Sequence, residues 1–168
     1  MVGHTLALLL ARDRLRVALV SAPRPASGIP DVRAYALNTA ARDLLRSVRA
    51  WPEDSAAPAG SPLSETGAPT VTPVSGMQVY GDHGGALQFS AIDQGSEALT
   101  WIVDVPALEQ RLAHAVHFQS GIECLTDAPP AALTVICEGK RSATRDELGL
   151  TYEVRPYPHK AVAARLRC

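Results

Sequence analysis

The sequence predicts an α/β protein, and three stretches carry that prediction. Gly3–Arg12 is a helical run, apolar almost all round, and Arg16–Val20 after it is a short apolar strand. Helix, brief link and apolar strand make the second half of a βαβ unit. Pro106–Phe118 followed by Gly121–Cys124 repeats the order of helix and short strand. Leu133-Thr-Val-Ile-Cys137, rich in β-branched residues, reads as a buried strand and runs directly into Glu138-Gly139.

Composition narrows the class. The chain has 168 residues, a formal net charge of −1 and 46% hydrophobic residues, enough apolar mass for one domain or pieces of two. Balanced charge gives no electrostatic reason to expect nucleic acid, and 5% aromatic residues make a base-stacking platform a poor expectation. Cys124, Cys137 and Cys168 are odd in number and lack CxxC spacing, which suits a reduced, cytoplasmic protein. The apolar run Thr5–Ala11 has no basic residue before it and is too short to cross a bilayer, so it reads as the body of a buried helix.

In chain order, the arginines Arg12, Arg14 and Arg16 follow the first helix, where cations favour its dipole. Residues 21–30 form a Pro/Ala/Ser/Gly loop. A helix is expected from about Thr39 to Arg49, with Leu44, Leu45 and Val48 on its apolar face and Trp51-Pro52 as its stop. Glu53–Val74 turns to Pro, Ala, Ser, Gly and Thr, the composition of a mobile linker or surface insertion. Met77–Tyr80 and Ala86–Ser90 flank Gly81-Asp-His-Gly-Gly85 and read as a β-hairpin. Leu99–Asp104 leads into the helix from Pro106, with Asp104 as N-cap and Pro106 in the first turn. Residues 161–168 read as a last alternating strand.

Chemistry-bearing patterns are few. Glu138 at a strand's carboxyl end is placed to accept hydrogen bonds from ribose-like hydroxyls, and Gly139 lets a backbone approach a ligand. Ser142 and Arg145 either hold that turn or reach a phosphate. His83 at a hairpin tip reads as solvated, and His114 and His117, three apart on one helix, lack further metal ligands at useful spacing. No Ser/His/Asp order, HExxH, P-loop or paired carboxylates stand out, so no catalytic side chain is assigned. Any reaction would be carried by a cofactor.

Four pieces resemble one family in the same order. Gly3–Val20 looks like the start of a flavoprotein FAD domain. Asp31-Val-Arg-Ala-Tyr-Ala-Leu-Asn38 resembles the D-x-R-x-x-A-L segment that lies along the flavin. Met77–Ala91 with Leu99-Thr-Trp-Ile-Val-Asp104 resembles the hairpin and W/Y-I-V-E/D segment, and Cys137–Arg145 is similar to the A-D-G-x-x-S-x-x-R turn. The family is that of the class A flavoprotein monooxygenases, in particular the UbiH-like hydroxylases of ubiquinone biosynthesis.

The resemblance implies an incomplete Rossmann-like FAD-binding domain, its first strand missing, interleaved with part of a β-sheet substrate domain. FAD-domain segments at 1–74 and 99–150 (the first ending in the linker 53–74) would enclose a substrate-domain hairpin at 75–98, with more of that sheet starting at 151–168. It implies FAD, with NAD(P)H as reductant and dioxygen as oxidant, hydroxylating a polyprenylated phenol at the inner face of a membrane. Gly3 would lie beneath the pyrophosphate, Arg33 near the flavin, Glu138 and Gly139 in the turn contacting the dinucleotide, and Ser142 and Arg145 in its support.

The chain also departs from the family. Ser21 stands where an acid often binds the adenosine ribose, Glu138 replaces the usual Asp, and His159 sits near a common Gln. The first two glycines of Gly-x-Gly-x-x-Gly and the later G-D-A-x-H region are absent, and Gly81-Asp82-His83 lies too early to be the latter. Without the first strand, either a gap opens between Arg16–Val20 and Leu133–Cys137, or the two pair directly. Each backbone group left unpaired in a buried gap costs about 1–3 kcal/mol. The expectation is a chain weakly active or inactive by itself. The alternative is a non-catalytic α/β fragment or accessory subunit that binds a partner chain completing the sheet. A nicotinamide-dependent Rossmann reductase is disfavoured by the absence of a Tyr/Lys pair and a full glycine fingerprint.

Overall fold

Tryptophan packing sets the centre of the molecule. In the computed structural model, which describes residues 1–21, 31–52, 70–140 and 142–159, the Trp51 and Trp101 rings meet edge to face at 6.5 Å between centroids. Val103, Leu108, Leu112 and Val116 join them, with Leu8 and Leu45 from two further helices and Val48 just after the second. These elements are α1 (Val2–Arg12), α2 (Thr39–Ser47) and α3 (Val105–His117).

Three small sheets surround this core. Strand β1 (Val17–Val20) pairs in parallel with β7 (Ile122–Leu125), in register Val17 to Ile122. The central strand β6 (Thr100–Asp104) runs antiparallel to β2 (Ala34–Leu37) on one side and to β3 (Val71–Val74) on the other. Strands β4 (Gly76–Tyr80) and β5 (Ala86–Ser90) form a separate hairpin, exposed along nearly all its length. The architecture is therefore mixed α/β, with a parallel pair packed under α1 and an antiparallel sheet beside it.

Local chemistry accounts for the helix starts. The Asp104 carboxylate accepts the Ala107 amide at 3.0 Å, and Pro106 occupies the first turn of α3 as expected. The Asn38 side chain does the same for α2, accepting from Ala41 N at 2.9 Å. At the centre of β6, alternation puts Trp101 and Val103 into the core while Ile102 faces out.

Two expectations change. The linker expected over 53–74 ends in a strand: Val71–Val74 pairs with β6, and residues 53–69 lie outside the described residues. Pro73 is tolerated there because β3 is an edge strand, whose proline needs no inward amide. The second change concerns Leu133–Cys137, which is not a buried strand. It joins no sheet among the described residues, and Leu133, Val135 and Ile136 are 78%, 51% and 41% exposed. A run of β-branched residues becomes a strand only where a neighbour supplies the ladder. Within the described residues β1 pairs with β7 alone, so Arg16–Val20 and Leu133–Cys137 do not pair directly. The strand expected at 161–168 and most of the loop at 21–30 lie outside the described residues.

Candidate functional site

The sequence-predicted residues fall into one cluster and one outlier. The cluster forms where α1 begins. Gly3 abuts Cys137 so closely that a Cβ on residue 3 would sit 3.2 Å from the Cys137 Cβ, tighter than ordinary contact. The first helix turn therefore lies against the segment that leads into Glu138-Gly139. Met1 caps α1 without a side-chain hydrogen bond, and no acidic residue occupies the first turn.

The bend itself is built from side chains. Gly139 takes φ +77°, a left-handed conformation that L-residues rarely adopt, and its Cβ position faces open space. Ser142 Oγ donates to Glu138 Oε2 at 2.7 Å and accepts the Arg145 amide at 3.1 Å, which caps α4 (Ala143–Glu147). Thr144 donates to the same carboxylate through its amide at 3.1 Å and through its hydroxyl. Hydrogen bonds from the Thr144 and Ser142 side chains hold the Glu138 carboxyl below the usual glutamate range.

Arg145 supports the bend from outside. Its guanidinium pairs with Asp146 at 2.7 Å, donates to the Lys140 carbonyl at 3.1 Å and lies over the Tyr152 ring at 4.7 Å. The hydrogen bonds that Arg145 donates to Asp146 raise the Arg145 pKa. Ser142 and Arg145 thus act in holding the turn, and their polar groups point into it.

Arg33 is the outlier. It precedes β2 and forms a two-pronged pair with Asp31, at 2.8 Å and 2.6 Å, with Glu109 of α3 at 3.9 Å. Those carboxylates, the Asp31 hydrogen bond first, raise its pKa. Among the described residues it makes no hydrogen bond or ion pair with the 138–145 bend. Its charge is also offset by two acids, which weakens the field it could place on a flavin.

These observations test how FAD fits. The first turn of α1 presents backbone N–H groups and the positive end of the helix dipole beside a bend with room at Gly139, the setting a pyrophosphate needs. Glu138 spends its strongest acceptor positions on Ser142 and Thr144, and Arg145 is turned to Asp146. The backbone leaves open space at Gly139 beside the start of α1, while the flanking side chains are engaged with one another.

No protein-family model matches the chain, and no curated protein matches it.

Sequence reasoning passed over one arrangement. Arg42, 9% exposed, stacks over Trp101 at 4.0 Å and pairs with Glu97 at 2.8 Å. Its signal lay in the helix period, which puts Arg42 on the same face as Leu45. His114 and His117 are exposed, and both rings meet Phe118 edge to face. Among the described residues, no three His, Cys, Asp or Glu side chains gather as metal ligands, and no helix is long and apolar enough to cross a membrane.

Proposed function

We propose that the chain belongs to an FAD-dependent aromatic hydroxylase lineage and carries Rossmann-like FAD-binding segments together with strands of a substrate sheet. The observation that carries the reading is the seating of Gly3 against Cys137, which puts the first turn of α1 beside the Glu138-Gly139 bend. That adjacency supports a dinucleotide phosphate between helix and bend. FAD, reduced by NAD(P)H, would supply oxygen transfer to a polyprenylated phenol; a chain with this open sheet would hold it weakly and turn over little.

Within that reading the chain's own groups have separate tasks. The α1 amides bind phosphate oxygens, and the Ser142–Glu138–Thr144 bonds keep the bend rigid. Arg33, held by Asp31 and Glu109, supplies a damped positive charge at the start of β2.

Titration with FAD, followed by amide chemical shifts, tests this. The expected result is a weak, saturable response confined to residues 2–5 and 137–145, lost in Gly3→Val. An unchanged spectrum at millimolar FAD would overturn the assignment.

A second reading has its own observation. Among the described residues, Leu133, Val135 and Ile136 are exposed and unpaired while β1 has one edge with no strand beside it, and such edges accept added strands. An accessory subunit completed by a partner chain would elute as a complex on a sizing column with no flavin present.

A further inference from the structure

The C-terminal ends of α1 and α2 and the second half of α3 surround a cleft of about 660 Å3, lined by Arg12, Arg49, Arg111 and His114. It includes none of the residues assigned to FAD, of which Gly3 and the Glu138-Gly139 bend lie at the opposite end of α1. Its apolar wall is Leu8, Val48 and Phe118. We propose that this cleft is a binding site for a small organic phosphate, its dianionic head between Arg12, Arg49 and Arg111 and its apolar body on Val48 and Phe118.

Two of the cleft arginines lack a carboxylate partner among the described residues, as do Arg14 and Arg16 outside the cleft, whereas four others have one. Elsewhere in the chain, Arg33, Arg42, Arg145 and Arg155 each meet a carboxylate within 2.6–3.0 Å. Around the cleft, Arg49 and Arg111 have no ion-pair partner among the described residues. Arg12 reaches Asp13 only at 3.8 Å, and its Nη1 donates instead to Ser47 Oγ at 3.1 Å, which holds it across the junction of α1 and α2. Three permanent cations thus line one cleft, and among the described residues Asp13, 3.8 Å from Arg12, is the acid paired with them.

Helix dipoles explain part of this clustering, since cations favour helix C-termini. Arg12 and Arg49 lie at such ends. Arg111 does not: it is midway along α3, and its Nε is shut from solvent with no hydrogen-bond partner. An unpaired buried donor is costly and is a reason to look for a missing acceptor. Arg49 adds a second anomaly. It follows α2 at φ +58°, a conformation where glycine or asparagine is usual, so the chain bears backbone strain to place an arginine there. Arg14, just after α1 and outside the cleft, takes the same conformation at φ +65°, so it is the cleft position that distinguishes Arg49.

The ligand class follows from the lining. Three guanidiniums suit a phosphate dianion better than a single carboxylate, because each offers forked donors to its oxygens. The wall of Leu8, Val48 and Phe118 favours a phosphate carrying an apolar group over the free ion.

Calorimetric titration at neutral pH with phenyl phosphate, inorganic phosphate and phenol tests the site on the full chain. Phenyl phosphate is expected to bind, more tightly than inorganic phosphate, and phenol to give no heat. Arg111→Gln should weaken phenyl phosphate about tenfold or more, the loss of one charge-assisted contact. Arg49→Gly separates ligand binding from folding: relief of the strained backbone should raise Tm by about 2–4 °C, while phenyl phosphate binds more weakly. Equal binding by the wild type and both variants, equal heats from phenol and phenyl phosphate, or no binding of phenyl phosphate would each overturn the proposal.

Discussion

The sheet β2-β6-β3 and the segment Leu133–Cys137 have similar apolar content and opposite fates. In the first, Trp101 and Val103 are buried because α3, α2 and Trp51 close over one face, and two strands complete the ladder of β6. In the second, equally β-prone residues stay exposed because nothing among the described residues pairs with them. The difference is one of neighbours, since strand propensity becomes stability only through cross-strand and packing contacts. One half of the molecule is closed by its own chain. The other stays open beside the first turn of α1, where the proposed cofactor groove lies.

Substitutions should reproduce that contrast. Trp101→Ala removes the ring that meets both Trp51 and Arg42, and should cost about 3–5 kcal/mol in denaturant unfolding. If the loss were below about 1 kcal/mol, the closed half would not be organised on this pair. Asp104→Ala deletes the N-cap of α3 and should cost about 1 kcal/mol, read as a lower denaturation midpoint with an unchanged slope.

On the open side the effects are local. Because the folded-state pKa of Glu138 is depressed, its contribution is present above the ordinary glutamate value and is lost as pH falls through the lower folded one. Its carboxyl carbon should titrate below an exposed glutamate, and the Thr144 amide shift should follow the same curve. Glu138→Gln should abolish that shared transition. The smallest effect is expected from Leu133→Ser, within about 0.5 kcal/mol, because that side chain is 78% exposed and has little packing to lose.

How much of this was legible follows the reach of each interaction. The start of α3 could be read from Asp104 and Pro106 because a cap acts over three residues. The β4–β5 hairpin could be read from the glycines at its tip, and the Ser142–Arg145 turn from its own local spacing. Strand β3 was hidden because Val71-Thr-Pro-Val74 looks like the end of a linker until β6, about thirty residues later, pairs with it. Leu133–Cys137 misled for the converse reason: its composition is that of a strand, and composition carries no information about an absent neighbour. Trp51 read as a helix stop, yet it is the most deeply buried large side chain. In the site, the Glu138 cluster was local and visible, whereas the pairing of Arg33 with Glu109 spans 76 positions and was not.

Native-state hydrogen exchange tests the division into closed and open halves most directly, residue by residue. Amides of Thr100–Val103 and the middle of α3 should exchange at the rate of global unfolding, while those of Leu133–Cys137 exchange almost as fast as an unstructured chain. Protection of Leu133–Cys137 comparable to that of β6, in the isolated chain without cofactor, would contradict the account.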